Sequence, residues 1–205
     1  MELVAGSKMR KAVHHAQALR RYALHAWEIL LSVGRTQPSG HPFLIQRKVK
    51  NVLAIVFTSD RGLCGSLNAQ VLRLLQQYMK GLQGLKSFES IDFITVGRKG
   101  HQMLTRMDKK IIATFPSLSN HPTIKDILPL SKLAMDEFRK GTYDHVVLLY
   151  TDFISPILQQ PAVKVLLPFS QTEVREALKG INEAKKKNTK EEDELRSHEI
   201  GRAHV

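Results

Sequence analysis

Apolar positions recur every third or fourth place at the start of the chain: Ala5, Met9, Ala12, Ala16, Leu19, Ala23, Ala26 and Leu30. That spacing, held for more than three heptads, predicts one long helix with a coiled-coil seam. Residues 1–32 hold no proline, and their only glycine is Gly6. An ordinary amphipathic helix packed on its own domain fits the spacing equally well. The seam is mostly alanine, so a partner helix has to approach closely. At ~1.5 Å per residue the helix is about 45 Å long. No other segment is both long and apolar enough to match it. The partner is therefore expected on another chain, or on a part of the protein beyond this sequence.

The pattern changes at Gly34. The stretch GRTQPSGHP, 34–42, has linker composition, and a linker is expected over 34–50. Short apolar runs then alternate with helical periodicity. Strands are expected at 52–57 (VLAIVF), 91–96 (IDFITV), 110–114 and 146–151, with an edge strand at 163–167 between Pro161 and Pro168. Helices are expected at 67–78, extending toward Gly81, at 101–106 after a turn at 97–100, and at 124–140 with Pro129 delaying its regular part. Strands separated by helices imply βαβ units and a mostly parallel sheet over 51–170. Residues 171–198 are highly charged, with a thin stripe of Val174, Leu178 and Ile181, and are read as helical or disordered. The last seven, EIGRAHV at 199–205, match a translated sequencing-library adapter and are read as an artefactual tail.

Composition adds little to this except through charge. Of 205 residues, 42% are hydrophobic and 24% charged, as in a globular domain. No apolar stretch approaches the ~20 residues of a membrane span, and the first thirty residues carry Lys, Arg and His among the apolar positions rather than a secretory pattern. The formal net charge of +12 favours an acidic partner: nucleic acid, anionic lipid or an acidic protein surface. Residues 1–50 hold nine Lys/Arg against Glu2 and Glu28. A solvated basic face explains them equally. The single cysteine, Cys64, excludes an intramolecular disulfide and any cysteine-cluster metal site.

The most informative stretch is TSDRGLCGSLN, 58–68, between an expected strand and an expected helix. A phosphate-binding P-loop needs G-x-x-x-x-G-K-[ST], but here Gly62 and Gly65 are three apart and Ser66-Leu67 follows. The dinucleotide pattern G-x-G-x-x-G fails because Cys64 stands at the second glycine. A nucleophile elbow needs G-x-[SC]-x-G, and Gly65 follows Cys64 directly. His14-His15 has no metal-ligand spacing. Asp60 and Asp152 sit at strand ends without other ligands, and Asp60 is read as a turn-former or helix cap. The loop is therefore read as structural. Asp60 and Asn68 serve caps and turns, Gly62 and Gly65 permit positive-φ backbone, and the glycines let a helix pack close to the sheet. No catalytic residue, cofactor site or metal site is assigned.

These residues also carry a resemblance. Ser59–Asn68, SDRGLCGSLN, resembles the SDRGLCGGLN signature of the gamma subunit of F-type ATP synthases, with Ser66 in place of a glycine. The opening MELVAGSKMRKA, 1–12, is similar to that family's MEMVAASKMRKA. VGRKG at 96–100 and LLYTDFISPILQQPAVKVLLP at 148–168 follow in the family's order. The likeness covers roughly residues 1–170. It implies a Rossmann-like, mostly parallel α/β domain beside a long N-terminal helix that forms half of an antiparallel coiled coil. By this likeness the chain lacks some twenty residues before Met1, and the whole C-terminal helix that would cover the seam. The motif positions carried over are Ser59, Asp60, Arg61, Gly62, Leu63, Cys64, Gly65 and Asn68. Met1, Lys8, Met9, Arg10 and Lys11 fall on the segment that faces the β subunit.

What the resemblance implies about function is mechanical. Such a subunit is the non-catalytic central rotor shaft that couples proton flow through Fo to ATP synthesis or hydrolysis on the α–β hexamer. Its partners are the α and β subunits, the ε subunit and the c-ring. No cofactor, small-molecule substrate or nucleic acid is implied, and the location is peripheral, on the cytoplasmic side of a bacterial membrane. Plastid relatives carry a cysteine-pair redox insertion, which one cysteine cannot provide. Two other readings rest on other features: a stand-alone basic module binding nucleic acid, and a nucleotide-using enzyme. The first has the charge but no RNA-binding signature, and aromatic residues are only 6%.

Overall fold

Val52–Val56 are five consecutive buried residues, the mark of a strand covered on both faces. They lie in β1 (Asn51–Phe57), the middle of a five-stranded sheet. In the computed structural model the described residues are 6–7, 9–15, 18–19, 22–23, 25–26, 29, 41–116, 123–155 and 158–169. After β1 come α1 (Leu67–Gln83), β2 (Ser90–Val96), α2 (Arg98–Arg106), β3 (Ile111–Phe115), α3 (Ile124–Lys140), β4 (His145–Phe153) and β5 (Gln159–Leu167). The strand order is β3-β2-β1-β4-β5. β1 runs parallel to β2, from Asn51↔Ser90 to Phe57↔Val96, and parallel to β4, from Val52↔His145 to Val56↔Leu149. β3 runs parallel to β2 with a bulge at Phe93/Ile94. The link from β4 to β5 is too short for a crossover, so the last strand turns back antiparallel.

Alternate residues of β1 point to opposite faces, and two cores result. Val52, Ala54 and Val56 pack with Val71, Leu75 and Leu104 from α1 and α2. Leu53 and Ile55 pack with Leu130, Ala134 and Phe138 from α3. The expected α/β class and mostly parallel sheet are what the chain adopts.

Several boundaries differ from expectation, each for a physical reason. The turn expected at 97–100 is instead the first turn of α2, because its amides are capped from another loop, described below. β5 begins at Gln159 and includes Pro161, which an edge strand tolerates because it needs fewer ladder N–H groups. α3 runs through Pro129, whose missing N–H leaves the Lys125 carbonyl without its intrahelical donor. Part of the expected linker 34–50 is ordered among the described residues. Pro42–Leu44 form a 3-10 turn, and Phe43 packs against the core beneath α3.

The chain divides into two compact units, one of Met1–Pro38, Phe153–Gln159 and Gln171–Val205, the other of Ser39–Asp152 and Gln160–Ser170. In the first unit every described residue between 6 and 29 is helical. Among the described residues no helix is long and apolar enough to cross a membrane. The expectations for 34–40, 171–198 and 199–205 lie outside the described residues.

Candidate functional site

The loop after β1 is built from its own hydrogen bonds. Asn68, in the first turn of α1, accepts from the Ser59 amide at 3.0 Å. Its amide nitrogen donates to Ser59 Oγ at 2.8 Å and to Cys64 Sγ at 3.1 Å. Ser59 Oγ in turn donates to the Arg61 carbonyl at 2.6 Å. One asparagine thus closes a ring across ten residues, which explains why the motif ends on Asn. Gly65 has φ +59 and Leu63 φ +62, so the left-handed turn uses one glycine and one leucine. Ser66 has φ −86, a value open to any residue, so serine costs no strain there.

The same loop caps the neighbouring helix. The Arg98 amide donates to Asp60 Oδ1 at 3.0 Å, the Lys99 amide to the Ser59 carbonyl at 3.1 Å, and the Gly100 amide to Thr58 Oγ1 at 2.7 Å. Three of the four orphan amides of α2 are thereby satisfied by Thr58-Ser59-Asp60. The expectation that Gly62 and Gly65 admit a close-packed helix is overturned, because a Cβ at either would meet nothing within 4 Å. Close approach occurs instead at Gly97 and Gly100. A Cβ on Gly97 would lie 2.2 Å from the Thr58 carbonyl oxygen, and one on Gly100 would lie 2.8 Å from Thr58 Oγ1. The motif and VGRKG are two halves of one joint between β1 and β2. Residue-by-residue reading missed Thr58 and Gly97. The visible signal was the Gly97-x-x-Gly100 pair directly after a strand parallel to β1.

The chemistry available here is limited by these bonds. The α2 N-terminus is filled. Among the described residues the Cys64 thiol has polar contacts with Ser59 and Asn68, neither of which is a base. Among the described residues no group of three or more His, Cys, Asp or Glu could hold a metal ion. The loop instead presents a shape. Leu63 is fully exposed at the tip of a self-bonded turn, and Arg61 is exposed beside it.

An ATP synthase gamma chain of Legionella pneumophila (strain Corby) is 34% identical over 174 residues, 84% of this chain and 60% of that protein. One from Cupriavidus necator is 39% identical over 171 residues, 83% of this chain and 58% of that protein. The family model described as ATP synthase matches residues 1–201. The chain belongs to the ATP synthase gamma-chain family. It spans about three fifths of the length of these gamma-chain relatives. A Tetrahymena thermophila mitochondrial ATP synthase structure of the central stalk and c-ring matches with a TM-score of 0.58 at 25% identity, covering 82% of this chain and 70% of that one.

The positions that the gamma-chain resemblance assigns to contacts are placed only in part. Met9, Arg10 and Lys11 are helical and exposed, whereas Met1 and Lys8 lie outside the described residues. Of the seam, Met9, Ala12 and Leu19 are exposed and Ala23 and Ala26 half-buried; Ala5, Ala16 and Leu30 lie outside the described residues. All eight positions of the gamma-chain loop motif are described; Ser59 and Asp60 cap α2, and Ser59, Arg61, Cys64 and Asn68 bond within the loop.

Replacing Asn68 with alanine removes the hub of that joint. The expected cost is about 1–3 kcal/mol, with the Ser59 amide left unpaired. The Cys64 thiol, released from Asn68, is expected to react faster with a maleimide in the folded protein. An unchanged rate would show that Asn68 does not hold the loop closed.

Proposed function

We propose that the chain acts as the central rotor subunit of an F1Fo ATP synthase, coupling ion flow through Fo to ATP synthesis or hydrolysis on the α–β hexamer. The observation that carries this reading is the gamma-chain family match, spanning both the helical segment and the α/β unit. The proposed partners are the α, β and ε subunits and the c-ring, with the complex attached peripherally to the cytoplasmic side of a bacterial membrane. The subunit itself does no chemistry. An asymmetric shaft touches the catalytic subunits differently, so each favours a different nucleotide state, and rotation exchanges those preferences.

Two features support the reading. Met9, Ala12 and Leu19 leave an apolar stripe uncovered, which suits a second shaft helix. Arg10 and Lys11 stand exposed on the same helix, where they suit acidic loops of β. Charge reversal at Lys8, Arg10 and Lys11 in the complete subunit is expected to depress ATP synthesis by the assembled complex. Unchanged coupling would remove the basic contact from the mechanism. A wild-type subunit that fails to assemble with α and β would sink the rotor reading. Steep salt dependence of DNA binding would then favour the basic binding module.

A further inference from the structure

The chain passes into the α/β unit after Pro38 and leaves it for the last time after Ser170. Inside that unit the two passages are tied to each other. The Phe169 amide donates to the Phe43 carbonyl at 2.8 Å, and both side chains pack on the core beneath α3. The tie rests on the last turn of α3. The Arg47 guanidinium lies 5.1 Å over the Phe138 ring and donates to the Phe138 carbonyl at 3.3 Å. The Arg139 guanidinium lies 5.6 Å over the Phe43 ring. The two rings are 6.1 Å apart and tilted. Phe138 is completely buried.

A bland reading is a core edge closed by two aromatics. The cations argue for more than that. Aliphatic packing would exclude water equally well but would resist sliding weakly. Two guanidinium groups lying over two neighbouring rings favour one ring orientation as well as one separation. Arg47 also donates to the Phe138 carbonyl, so one guanidinium engages both the ring and the backbone of that residue. The backbone bond at Phe43–Phe169 then locks the incoming and outgoing segments in register with each other.

We propose that Arg47, Phe138, Phe43 and Arg139, with the Phe43–Phe169 backbone bond, form a clamp that makes the two ends of the α/β unit turn as one piece with its sheet. These are positioning residues for torque transfer, and the inference rests on the rotor reading. If the clamp is opened, the segments flanking β1 and β5 can twist separately before the sheet follows, and a rotation step is dissipated instead of transmitted.

The test uses inverted membrane vesicles carrying the assembled complex with the complete subunit. ATP hydrolysis and ATP-driven ion uptake are measured in the same vesicles. Phe43→Ala is expected to lose uptake per ATP hydrolysed, with Phe43→Tyr restoring it. The double variant Arg47→Ala/Arg139→Ala is expected to lose uptake in the same direction, and Arg47→Lys alone to restore little relative to Arg47→Ala. A purely structural role would reduce the amount of complex and leave the uptake-to-hydrolysis ratio unchanged. Wild-type ratios in both Phe43→Ala and the double variant would overturn the clamp. If Phe43→Ala does not assemble, the double variant decides, since it leaves the apolar core in place. A wild-type subunit that assembles into no complex would overturn the rotor reading, and the clamp with it.

Discussion

Replacing Gly97 with alanine is expected to cost about 3–5 kcal/mol, enough to leave much of the α/β unit unfolded given the marginal stability of ordinary domains. Two effects add. Gly97 has φ +96 and ψ 144, a region of backbone space that is essentially restricted to glycine. A Cβ there would also lie 2.2 Å from the Thr58 carbonyl oxygen and 2.8 Å from its carbonyl carbon. Neither atom can retreat cheaply. The Thr58 amide donates to the Val96 carbonyl at 2.8 Å, and Thr58 Oγ1 accepts from the Gly100 amide at 2.7 Å, so the residue is held from both sides. Gly62→Ala is the matched control, because its Cβ would meet nothing within 4 Å. Urea unfolding followed by circular dichroism separates the two. Equal midpoints for Gly97→Ala and Gly62→Ala would refute the account of the joint.

That joint shows what the sequence made legible and what it did not. The apolar run at 52–57 and the 3.6-residue periodicity of 124–140 are local signals, and the corresponding β1 and α3 are close to where they were expected. The start of α2 is not local. Its cap residue Asp60 stands 38 positions before Arg98, so no window around 97–100 could distinguish a turn from a capped helix. Phe43 is a similar case. It sits in a proline- and glycine-bearing stretch, and what orders it is a ring on α3 far along the chain. For the motif loop, the sequence revealed the left-handed Gly65 and the family it resembles, but the second left-handed residue is Leu63 and not the expected Gly62. It did not reveal the direction of its bonds, because Asn68 reaches back to Ser59 while Asp60 reaches forward to α2.

The second large effect is expected toward the other end of β2. Asp92 interrupts the apolar strand β2 and is 7% exposed. Its Oδ2 accepts from the Tyr143 hydroxyl at 2.7 Å and from Lys110 Nζ at 2.7 Å. The three residues fasten β2 to the segments that lead into β3 and β4. Asp92→Ala would leave a buried phenol without its acceptor, and the expected cost is about 2–4 kcal/mol. Asp92→Asn keeps an acceptor and should cost less. The pair also sets an alkaline limit. Burial, and then the bond to Asp92, push the Tyr143 hydroxyl well above its ordinary value. A tyrosine in the unfolded chain loses its proton near pH ~10, while Tyr143 in the folded protein retains it. The unfolded state therefore binds fewer protons above that point, and stability falls as pH rises beyond it. Below it the contribution is fully present. Tyr143→Phe cannot ionise, so the stability difference between wild type and this variant should stay constant up to about pH 9 and move against the wild type beyond about pH 10. A difference that stayed constant across that range would mean that Tyr143 ionises as freely in the fold as out of it, and that Asp92 is held by Lys110 alone.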